Sequence, residues 1–595
     1  MKDMLKNIIN KTYFKVAIIN LVIFGIANIL FNIKYEQVDD MIIYSLYSGL
    51  DSTYNIHGIY IYPLICLVLS NLYKICSIIN WHTVLLLSMQ FICFTVIGTI
   101  LLKNKSSKVG YILYTIFASI CYTSLLLLIQ YTSVSALLIA TAFFIIFDMQ
   151  EEKSFSKRKK VFADILFVLG IMIRLQSLMI ILPFFIVYLV YIILKNKRTL
   201  KISDIKELVK QYIILFILTI LIYSSNIIFY NTNSLYKNYI EYNELRTKLQ
   251  DLSYTDYEEN KEIFNEIGWS KNDHYLFYTF NYGDENIYSK ENLEKIVEYK
   301  KNNEAEYNLN TNFKSILEQL IRQLVESNEL FTIIFLVAFI LVLCLNKNKT
   351  AFSIIILLTT IGINVLFIVL NRAMLRVVIP EYILGTAILL YFVKYKDKEK
   401  DDIGGILVFI VLSVVLLSAN KYNFNYKLEN YSNYQEVIEY TNSHKENVYL
   451  YTAPALQFRY LTYSVYSMPP KGAFSNLRVM GGWDIFTENY YEFKQRNSLD
   501  GTFLDLLKEN VYLIDGDVEW SGVYYENYKE QYKIIKHQRD IARKDQVVSL
   551  EKYRLKPNSM QVGFITNLKK ILEAGEDRAL LISATGERGI FVTGG

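Results

Sequence analysis

The sequence predicts a polytopic α-helical membrane protein, with about eleven transmembrane helices and a small outward-facing α/β domain near its C-terminal end. Hydrophobic residues make up 53% of the 595 residues and charged residues only 20%. Together with a mean hydropathy of +0.23, this composition excludes a disordered chain and an ordinary soluble enzyme. The apolar residues lie in blocks of about 17 to 20, the length of a helix that crosses the hydrocarbon of a bilayer.

Eleven apolar blocks are predicted to span the membrane, with the N-terminus inside and the C-terminal domain outside. The first block, Phe14–Ile33, has three lysines before it and Lys15 at its start, and no small-residue cleavage site follows it, so we interpret it as a retained anchor rather than a signal peptide. The other predicted spans are 82–102, 109–128, 131–147, 161–178, 180–194, 211–230, 330–346, 351–370, 374–393 and 403–420.

The apolar segment 59–79 decides the predicted topology. If this segment does not cross, the basic connections 103–108 and 148–160 lie on the same side as the basic N-terminus. If it crosses, both connections move outside, against the excess of Lys and Arg expected on the cytoplasmic side. Pro63 also interrupts the segment. We therefore expect 59–79 to lie along the outer membrane face or dip into it.

This topology divides the chain into three parts. Residues 1–420 form a transmembrane domain with two outer loops, 34–81 and 231–329. Residues 421–556 are predicted to form an extracytoplasmic α/β domain, and 557–595 is a tail of unassigned origin with a different composition.

The C-terminal domain is predicted from short strand-like runs, Val448–Thr452, Tyr463–Met468 and Val511–Ile514, separated by helical stretches and Gly/Pro turns. None of the five cysteines lies in this region or in the large outer loop, so disulfides do not support it. The net charge of +5 is small for this length, which argues against a nucleic-acid partner.

Two adjacent carboxylates follow the first predicted span directly. Asp39 and Asp40 lie a few residues beyond the outer hydrocarbon boundary, where ionisable residues are functional candidates. Adjacent carboxylates repel each other, so one of them resists ionisation unless a cation or hydrogen bonds compensate. The alternative is a solvated acidic turn in which Asp40 caps the following helix.

Three arginines map to the same outer face. Arg174 lies inside the apolar stretch Val161–Leu194, which is long enough for two crossings, and Arg372 and Arg376 lie at the outer junction of two late spans. A guanidinium group matches phosphate geometrically and stays charged. The alternatives are a snorkelling Arg174 and pairing of Arg372 and Arg376 with acidic residues of the 231–329 loop. Carboxylates next to arginines at the headgroup level suit a lipid-linked phosphate substrate.

This arrangement resembles the GT-C superfamily of integral-membrane glycosyltransferases, which use polyprenyl-phosphate sugars and include protein O-mannosyltransferases and aminoarabinose transferases. Asp39-Asp40 resembles the acidic motif of the first outer loop, and Arg372–Pro380 is similar to the arginine motif of a late span. Tyr242–Arg246, Ile267–Asp273 and Asn476–Asp484 resemble segments of uncharacterised bacterial proteins of this design. The resemblance covers about residues 10–555.

The resemblance implies transfer of a sugar from a polyprenyl-phosphate donor to an acceptor hydroxyl, with inversion, in the bacterial plasma membrane. Asp39 or Asp40 would be the general base, and Arg174, Arg372 or Arg376 would bind the phosphate. His57 and Trp483 are further candidate substrate-binding residues. A divalent metal held by the two aspartates stays open, and the acceptor is a glycan, a lipid or a protein.

Two other functions remain as alternatives. A polysaccharide polymerase or ligase of cell-envelope glycan assembly would depend on the arginines and the large loop rather than on the aspartates. A flippase would show internal repeats and interrupted midplane helices, and the sequence has no convincing repeat.

Overall fold

The computed structural model describes most of the chain. The described residues are 11–393 except for 32, 37–38, 104–107, 196–201, 253 and 304–311, then 410–411, 414, 438–452, 464–515, 564–566, 578–582 and 588–592. In chain order the elements are α1 (Thr12–Leu30), β1 (Lys34–Tyr35), α2 (Asp39–Ser48), α3 (Pro63–Ile75), α4 (Trp81–Leu102), α5 (Lys108–Leu127), β2 (Leu128–Ile129), α6 (Tyr131–Glu151), α7 (Lys157–Ile173), α8 (Leu178–Lys195), α9 (Ile202–Asn231), α10 (Ser234–Arg246), α11 (Lys261–Glu266), α12 (Lys271–Tyr278), α13 (Lys290–Asn303), α14 (Phe313–Arg322), α15 (Glu329–Leu345), α16 (Thr350–Val369), α17 (Leu375–Phe392), β3 (Val448–Tyr451), β4 (Leu477–Val479), α18 (Glu488–Arg496), β5 (Val511–Asp515), β6 (Phe564–Thr566), β7 (Arg578–Ile582) and β8 (Arg588–Val592).

The apolar helices confirm a multi-pass α-helical membrane protein. Within the described residues, eight helices are long and apolar enough to cross a bilayer, or nine if the bent pair α14–α15 is one crossing. The predicted span 161–178 becomes the 17-residue helix α7, which is shorter than each of those eight helices. The predicted span 403–420 lies outside the described residues except for 410, 411 and 414.

The chain breaks between α7 and α8 at Arg174, five residues earlier than the sequence pattern suggests. Arg174 has an extended backbone (φ −158°, ψ 109°) and is followed by a short 3-10 turn, Leu175–Ser177. This early break is explained by the guanidinium group, which bonds to polar groups at the start of α6 instead of lying inside the apolar bundle.

Helix α6 is the centre of the bundle and is buried over its whole apolar window. Its close contact with α7 depends on Gly170, because a Cβ there would lie 2.7 Å from the side chain of Ile139. The hydroxyl of Ser135 on α6 donates to the Gly170 carbonyl at 2.7 Å. Inside a bilayer, burial of apolar surface contributes little to the association of helices. Close packing at small residues and interhelical hydrogen bonds stabilise it instead.

A buried ion-pair network joins the helices at the C-terminal end of α6. The side chain of Asp148 is fully buried between Lys103 and Lys159, whose Nζ lies 3.0 Å away. Nearby, Lys349 pairs with Glu151 at 2.7 Å. Basic residues of three separate connections thus gather at one end of the bundle, which we call the basic end.

Two helices at the other end of the bundle are too short to cross a membrane alone. Helix α3, within the ambiguous segment 59–79, has 13 residues, whereas a crossing needs about 20. Helix α14 meets α15 at 90° and has no buried residue. Its apolar residues Phe313, Leu317 and Ile321 are all exposed on one stripe, a pattern typical of a helix lying in the membrane interface.

A second core lies beyond this end, which we call the domain end. It is built from α10–α13 together with the C-terminal sheet and α18. The sheet has the order β4-β3-β5-β6, with β3 parallel to β4 and β5, and β6 antiparallel. Two of the predicted strands match β3 and β5. In place of the third, the described residues 464–468 form a turn with one bridge from Ser467 to Ile79.

The C-terminal domain docks onto the 231–329 loop through direct backbone contact. A Cβ on Gly481 would lie 2.2 Å from the Phe280 carbonyl oxygen, and one on Gly283 would lie 2.2 Å from the Met480 carbonyl oxygen. Only glycine permits this approach. The contact places the next two residues, Gly482 and Trp483, over the end of the membrane bundle.

Candidate active site

The two aspartates open helix α2 at the domain end. Strand β1 precedes them and pairs in parallel with β2, with Tyr35 opposite Ile129. The backbone N–H of Glu36 donates to the Ile129 carbonyl at 2.9 Å. This short pairing brings the first turn of α2 next to the N-terminus of α6.

Asp40 is fully buried and its carboxylate is held from two sides. Its Oδ1 lies 2.9 Å from His82 Nε2 and accepts the backbone N–H of Tyr131 at 3.2 Å. The hydroxyl of Tyr47 in turn lies 2.6 Å from His82 Nδ1. Burial raises the pKa of Asp40 above its ordinary value, and the hydrogen bond to His82 opposes that shift. Asp40 therefore ties α2 to α4 and α6.

Asp39 has the opposite environment, because its side chain is only partly buried. Its Oδ1 accepts one hydrogen bond, from the indole N–H of Trp483 in the C-terminal domain at 3.1 Å. The Trp483 ring packs edge-on against Tyr60, with ring centroids 4.9 Å apart. Among the described residues, the Asp39 side chain accepts this one hydrogen bond, and the indole fixes the orientation of the carboxylate.

Arg174 lies on the other side of Tyr60. Its Nη1 donates to the hydroxyls of Tyr131 and Thr132, the latter at 2.6 Å. The guanidinium carbon lies 5.8 Å from the centre of the Tyr60 ring and 5.0 Å from that of Tyr131. Arg174 is therefore part of the same site as Asp39 and is oriented by two hydroxyls at the start of α6.

Arg376 faces Glu36, and both side chains are largely buried. Its Nη1 lies 3.8 Å from Glu36 Oε2, with the two side chains 13% and 14% exposed. Neither of these two atoms has a hydrogen-bond partner among the described residues. Burial raises the pKa of Glu36 to about 7, with Asp40 and Asp39 adding to the shift and Arg376 opposing it.

Arg372 pairs instead with the large loop. Its Nη2 lies 3.8 Å from Asp251 Oδ2, and the buried Arg246 approaches the same carboxylate at 3.6 Å. Burial raises the pKa of Tyr60, while Arg246 lowers it and Asp39 and Asp251 raise it. Both acidic groups and Arg246 therefore lie around the Tyr60 hydroxyl. This pairing matches the alternative considered for Arg372 from the sequence.

His57 lies apart from this cluster. It stacks on Tyr236 at 3.7 Å and its Nδ1 lies 2.7 Å from Asn55 Oδ1. Its Nδ1 also lies 3.9 Å from Glu488 Oε2, and its ring packs against Phe229 with centroids 4.8 Å apart. Burial lowers the pKa of His57 to about 4. The structure does not bring His57 into contact with either aspartate or any of the three arginines.

We define the domain-end site by two groups of residues. Asp39, Arg174 and Trp483 lie around Tyr60, and the Glu36–Arg376 pair lies close enough to Asp39 for the two carboxylates to interact. Sequence reasoning missed Glu36, Tyr60, His82 and Arg246 as members or supports of this site. Glu36 lies three residues before Asp39, and Arg246 is the last residue of the segment Tyr242–Arg246. Their positions next to sequence motifs could therefore have identified both. No sequence motif lies next to Tyr60 or His82.

The residues at the site do not fit a divalent cation. Asp40 is committed to His82 and Tyr131, and Asp39 accepts the Trp483 indole. In the part of the chain that the structure describes, no group of three or more His, Cys, Asp or Glu is arranged to hold a metal ion. We therefore derive no step through a metal.

The fold and the site together define a multi-pass membrane protein in which two aspartates and two arginines gather at the domain end of the helix bundle. Two solved structures are similar to it, both of ArnT from Cupriavidus metallidurans. The crystal structure bound to undecaprenyl phosphate shows 11% identity over 93% of this chain and 97% of ArnT, with a TM-score of 0.40. The apo crystal structure shows 12% identity over 94% and 97%, also with a TM-score of 0.40.

These scores are too low to establish a common fold or activity. No protein-family model and no curated protein matches the chain.

Proposed function

We propose that this protein transfers a sugar from a polyprenyl-phosphate donor to an acceptor hydroxyl on the outer face of a bacterial plasma membrane. One observation carries the proposal. A partly exposed carboxylate, Asp39, and a buried guanidinium with an unsatisfied N–H, Arg376, share one site at the end of an apolar bundle. A lipid-linked sugar phosphodiester carries a phosphate for the Arg376 guanidinium to bind, and the transfer of its sugar needs a base such as Asp39.

Asp39 is better suited than Asp40 to act as the general base. The carboxylate of Asp40 is fully buried and its oxygens are occupied by a histidine and a backbone N–H. Asp39 is partly exposed and has one bonded oxygen. A positioned carboxylate of this kind accelerates proton transfer by about 10²- to 10⁴-fold.

The reaction is a direct displacement at the anomeric carbon. The acceptor oxygen attacks that carbon and gives its proton to Asp39, while the bond from the anomeric carbon to the phosphate oxygen breaks. The electron pair stays on the polyprenyl phosphate, whose growing negative charge Arg376 and Arg174 stabilise. Attack opposite the leaving group inverts the anomeric configuration.

Arg376 and Arg174 both have donors available for the phosphate. The Nη1 of Arg376 is buried without a hydrogen-bond partner among the described residues, which is costly for a charged group and favours an incoming anion. The Nη1 of Arg174 already donates to the hydroxyls of Tyr131 and Thr132. A guanidinium has five N–H donors, so its other edge remains for a phosphate oxygen.

The proposal is tested with purified protein in lipid nanodiscs and a panel of radiolabelled undecaprenyl-phosphate sugars. We expect at least one donor to be consumed and free undecaprenyl phosphate to be released in the presence of cell-envelope extract as the acceptor. The exposed carboxylate variant Glu291→Gln, on α13, is the matched control and should keep full activity. No turnover of any donor would contradict the proposal.

Glu36 makes donor binding depend on pH. Above its pKa of about 7, the Glu36 carboxylate neutralises Arg376 and repels the phosphate; below it, Glu36 is neutral and Arg376 is free. A bound phosphodiester that raises this pKa by about one unit changes the affinity by roughly tenfold.

We therefore expect the affinity for a non-hydrolysable phosphodiester donor analogue to fall between pH 6 and pH 8, measured by microscale thermophoresis. The phosphodiester keeps one charge over this range, so the change reports on the protein. Glu36→Gln should bind tightly at both pH values, and a variant that retained the pH dependence would exclude Glu36 as its source.

A polysaccharide polymerase or ligase remains the second candidate. Arg246 and Arg372 both pair with Asp251 beside Tyr60. This group of arginines does not involve Asp39, and it favours a polymerase or ligase over a flippase. Retention of activity without the Asp39 carboxylate would support this reading.

A further inference from the structure

Both arginines of the proposed phosphate site are fixed to one turn, the start of helix α6. The hydroxyl of Thr132 accepts a hydrogen bond from Arg174 Nη1 at 2.6 Å. The hydroxyl of the next residue, Ser133, donates to the backbone carbonyl of Arg376 at 2.9 Å. Ser133 is 2% exposed, so its hydroxyl has little contact with bulk water. Two adjacent residues of α6 therefore hold the two arginines that we assign to one phosphate.

The turn itself is held by side chains that pair with its backbone N–H groups. The side-chain oxygen of Gln130 accepts the N–H of Thr132 at 2.6 Å and that of Ser133 at 3.2 Å. Asp40 accepts the N–H of Tyr131 at 3.2 Å. Because the first N–H groups of a helix have no partner within it, these contacts cap α6 and fix the backbone from which the Ser133 side chain projects.

A proline explains why the Arg376 carbonyl takes a partner from another helix. In a regular helix this carbonyl would accept the N–H of the residue four positions later. Pro380 occupies that position inside α17 and has no N–H to donate. A carbonyl left without a partner inside a helix bundle is costly. The Ser133 hydroxyl takes the place of the missing donor.

We propose that Ser133 is a positioning residue for the donor phosphate, because its bond to the Arg376 carbonyl holds the first turn of α17 and directs the guanidinium toward the phosphate that Arg174 also contacts. This inference rests on the proposed function and adds a residue that touches no substrate. The bond is made to the backbone of Arg376 itself, so its loss moves the base of that side chain. A second restraint on the same segment, from Gln323 Nε2 to the Ala373 carbonyl at 2.8 Å, remains when Ser133 is replaced.

Ser133→Ala is expected to weaken binding of the non-hydrolysable phosphodiester donor analogue by about 3- to 10-fold, which corresponds to one neutral hydrogen bond. The loss should be smaller than that in Arg376→Gln, because the Gln323 restraint remains. The measurement is microscale thermophoresis of the full-length protein in nanodiscs. Thr141→Val is the matched control, because Thr141 is buried in the same helix and donates to the Leu137 carbonyl within it.

Pro380→Ala separates a positioning role from simple packing. Alanine at position 380 restores the N–H that a helix donates to the Arg376 carbonyl, so the Ser133 hydroxyl should no longer be needed. In the Pro380→Ala background we expect Ser133→Ala to weaken analogue binding by less than about 2-fold. An equal loss in both backgrounds would show that the two residues act independently, and it would overturn the proposal.

A second readout needs no substrate. Arg376 Nη1 lies 3.8 Å from Glu36 Oε2 and lowers the pKa of that carboxyl, against burial and the charges of Asp40 and Asp39. Displacement of Arg376 in Ser133→Ala should therefore raise the pKa of Glu36. This pKa is measured by infrared titration of protein with isotope-labelled glutamate, in which Glu36→Gln assigns the signal. A merely structural Ser133 would affect Tm and leave the pKa of Glu36 unchanged.

The two proposals fail in different ways. If the wild type binds no donor analogue but Ser133→Ala raises the pKa of Glu36, the transfer reaction is wrong and the positioning of Arg376 stands. If Arg376→Gln weakens analogue binding but Ser133→Ala changes neither the analogue affinity nor the pKa of Glu36, the positioning role is wrong and the transfer reaction stands.

Discussion

Asp39→Asn is expected to lower kcat by about 10²- to 10⁴-fold, because the acceptor oxygen then loses its proton acceptor in the transition state. Donor affinity should not fall, since Asp39 binds no phosphate in the proposed mechanism. The fold should also persist, because an asparagine carbonyl can still accept the indole N–H of Trp483. The measurement is steady-state release of undecaprenyl phosphate in nanodiscs, with donor binding measured separately.

The neighbouring aspartate provides the contrast. Asp40→Asn should destabilise the protein by about 1–3 kcal/mol, because it disturbs a buried hydrogen-bond set around His82 and the start of α6. Thermal unfolding of the detergent-solubilised protein separates the two variants: Asp40→Asn lowers Tm, and Asp39→Asn does not. Full turnover by Asp39→Asn would rule out this residue as the base.

Arg376→Gln is expected to weaken donor binding by about 10- to 100-fold. A hydrogen bond to a charged group is worth about 1.5–3 kcal/mol, and the neutral amide provides neither the charge nor the planar pair of donors of a guanidinium. Because Arg376 also stabilises the leaving phosphate, kcat should fall as well. Microscale thermophoresis with the phosphodiester analogue measures the first effect, and turnover at saturating donor measures the second.

The matched control for this variant is Arg322→Gln on α14. The Arg322 side chain is 75% exposed and, among the described residues, forms an ion pair with Glu326 four positions along the chain, so donor affinity should not change. Equal donor affinity of the wild type and Arg376→Gln would remove Arg376 from the phosphate site and leave Arg174 as the remaining candidate.

The membrane fold could be predicted from the sequence because the chain contains few charged residues. Apolar blocks fix where helices lie, and the basic residues 103, 159 and 349 do meet at one end of the bundle. The same scarcity singled out Asp39, Arg174 and the two late arginines. An ionisable residue at membrane depth needs a partner. Its presence in the sequence therefore predicts that it lies near another charged or polar group.

The contacts that build the site were not readable in this way. Trp483 meets Asp39 across 444 positions of sequence, and no local pattern encodes a distance of that kind. Tyr60 is one of 49 tyrosines and His82 is one of five scattered histidines, and for both a structural role in apolar surroundings is the ordinary expectation. Asp39 and Asp40 differ in how far their side chains are buried. Two identical adjacent residues in a sequence do not show which of them will be buried.

The bond from Trp483 to Asp39 also sets an order of events during synthesis. The ribosome adds Asp39, Arg174 and Arg376 well before Trp483, so a nascent chain contains the bundle residues of the site while the proposed base still lacks its hydrogen bond to Trp483. The site becomes whole only after the last domain has emerged and docked through Gly481. A prematurely terminated chain would therefore retain the charged residues of the bundle and lack an oriented base.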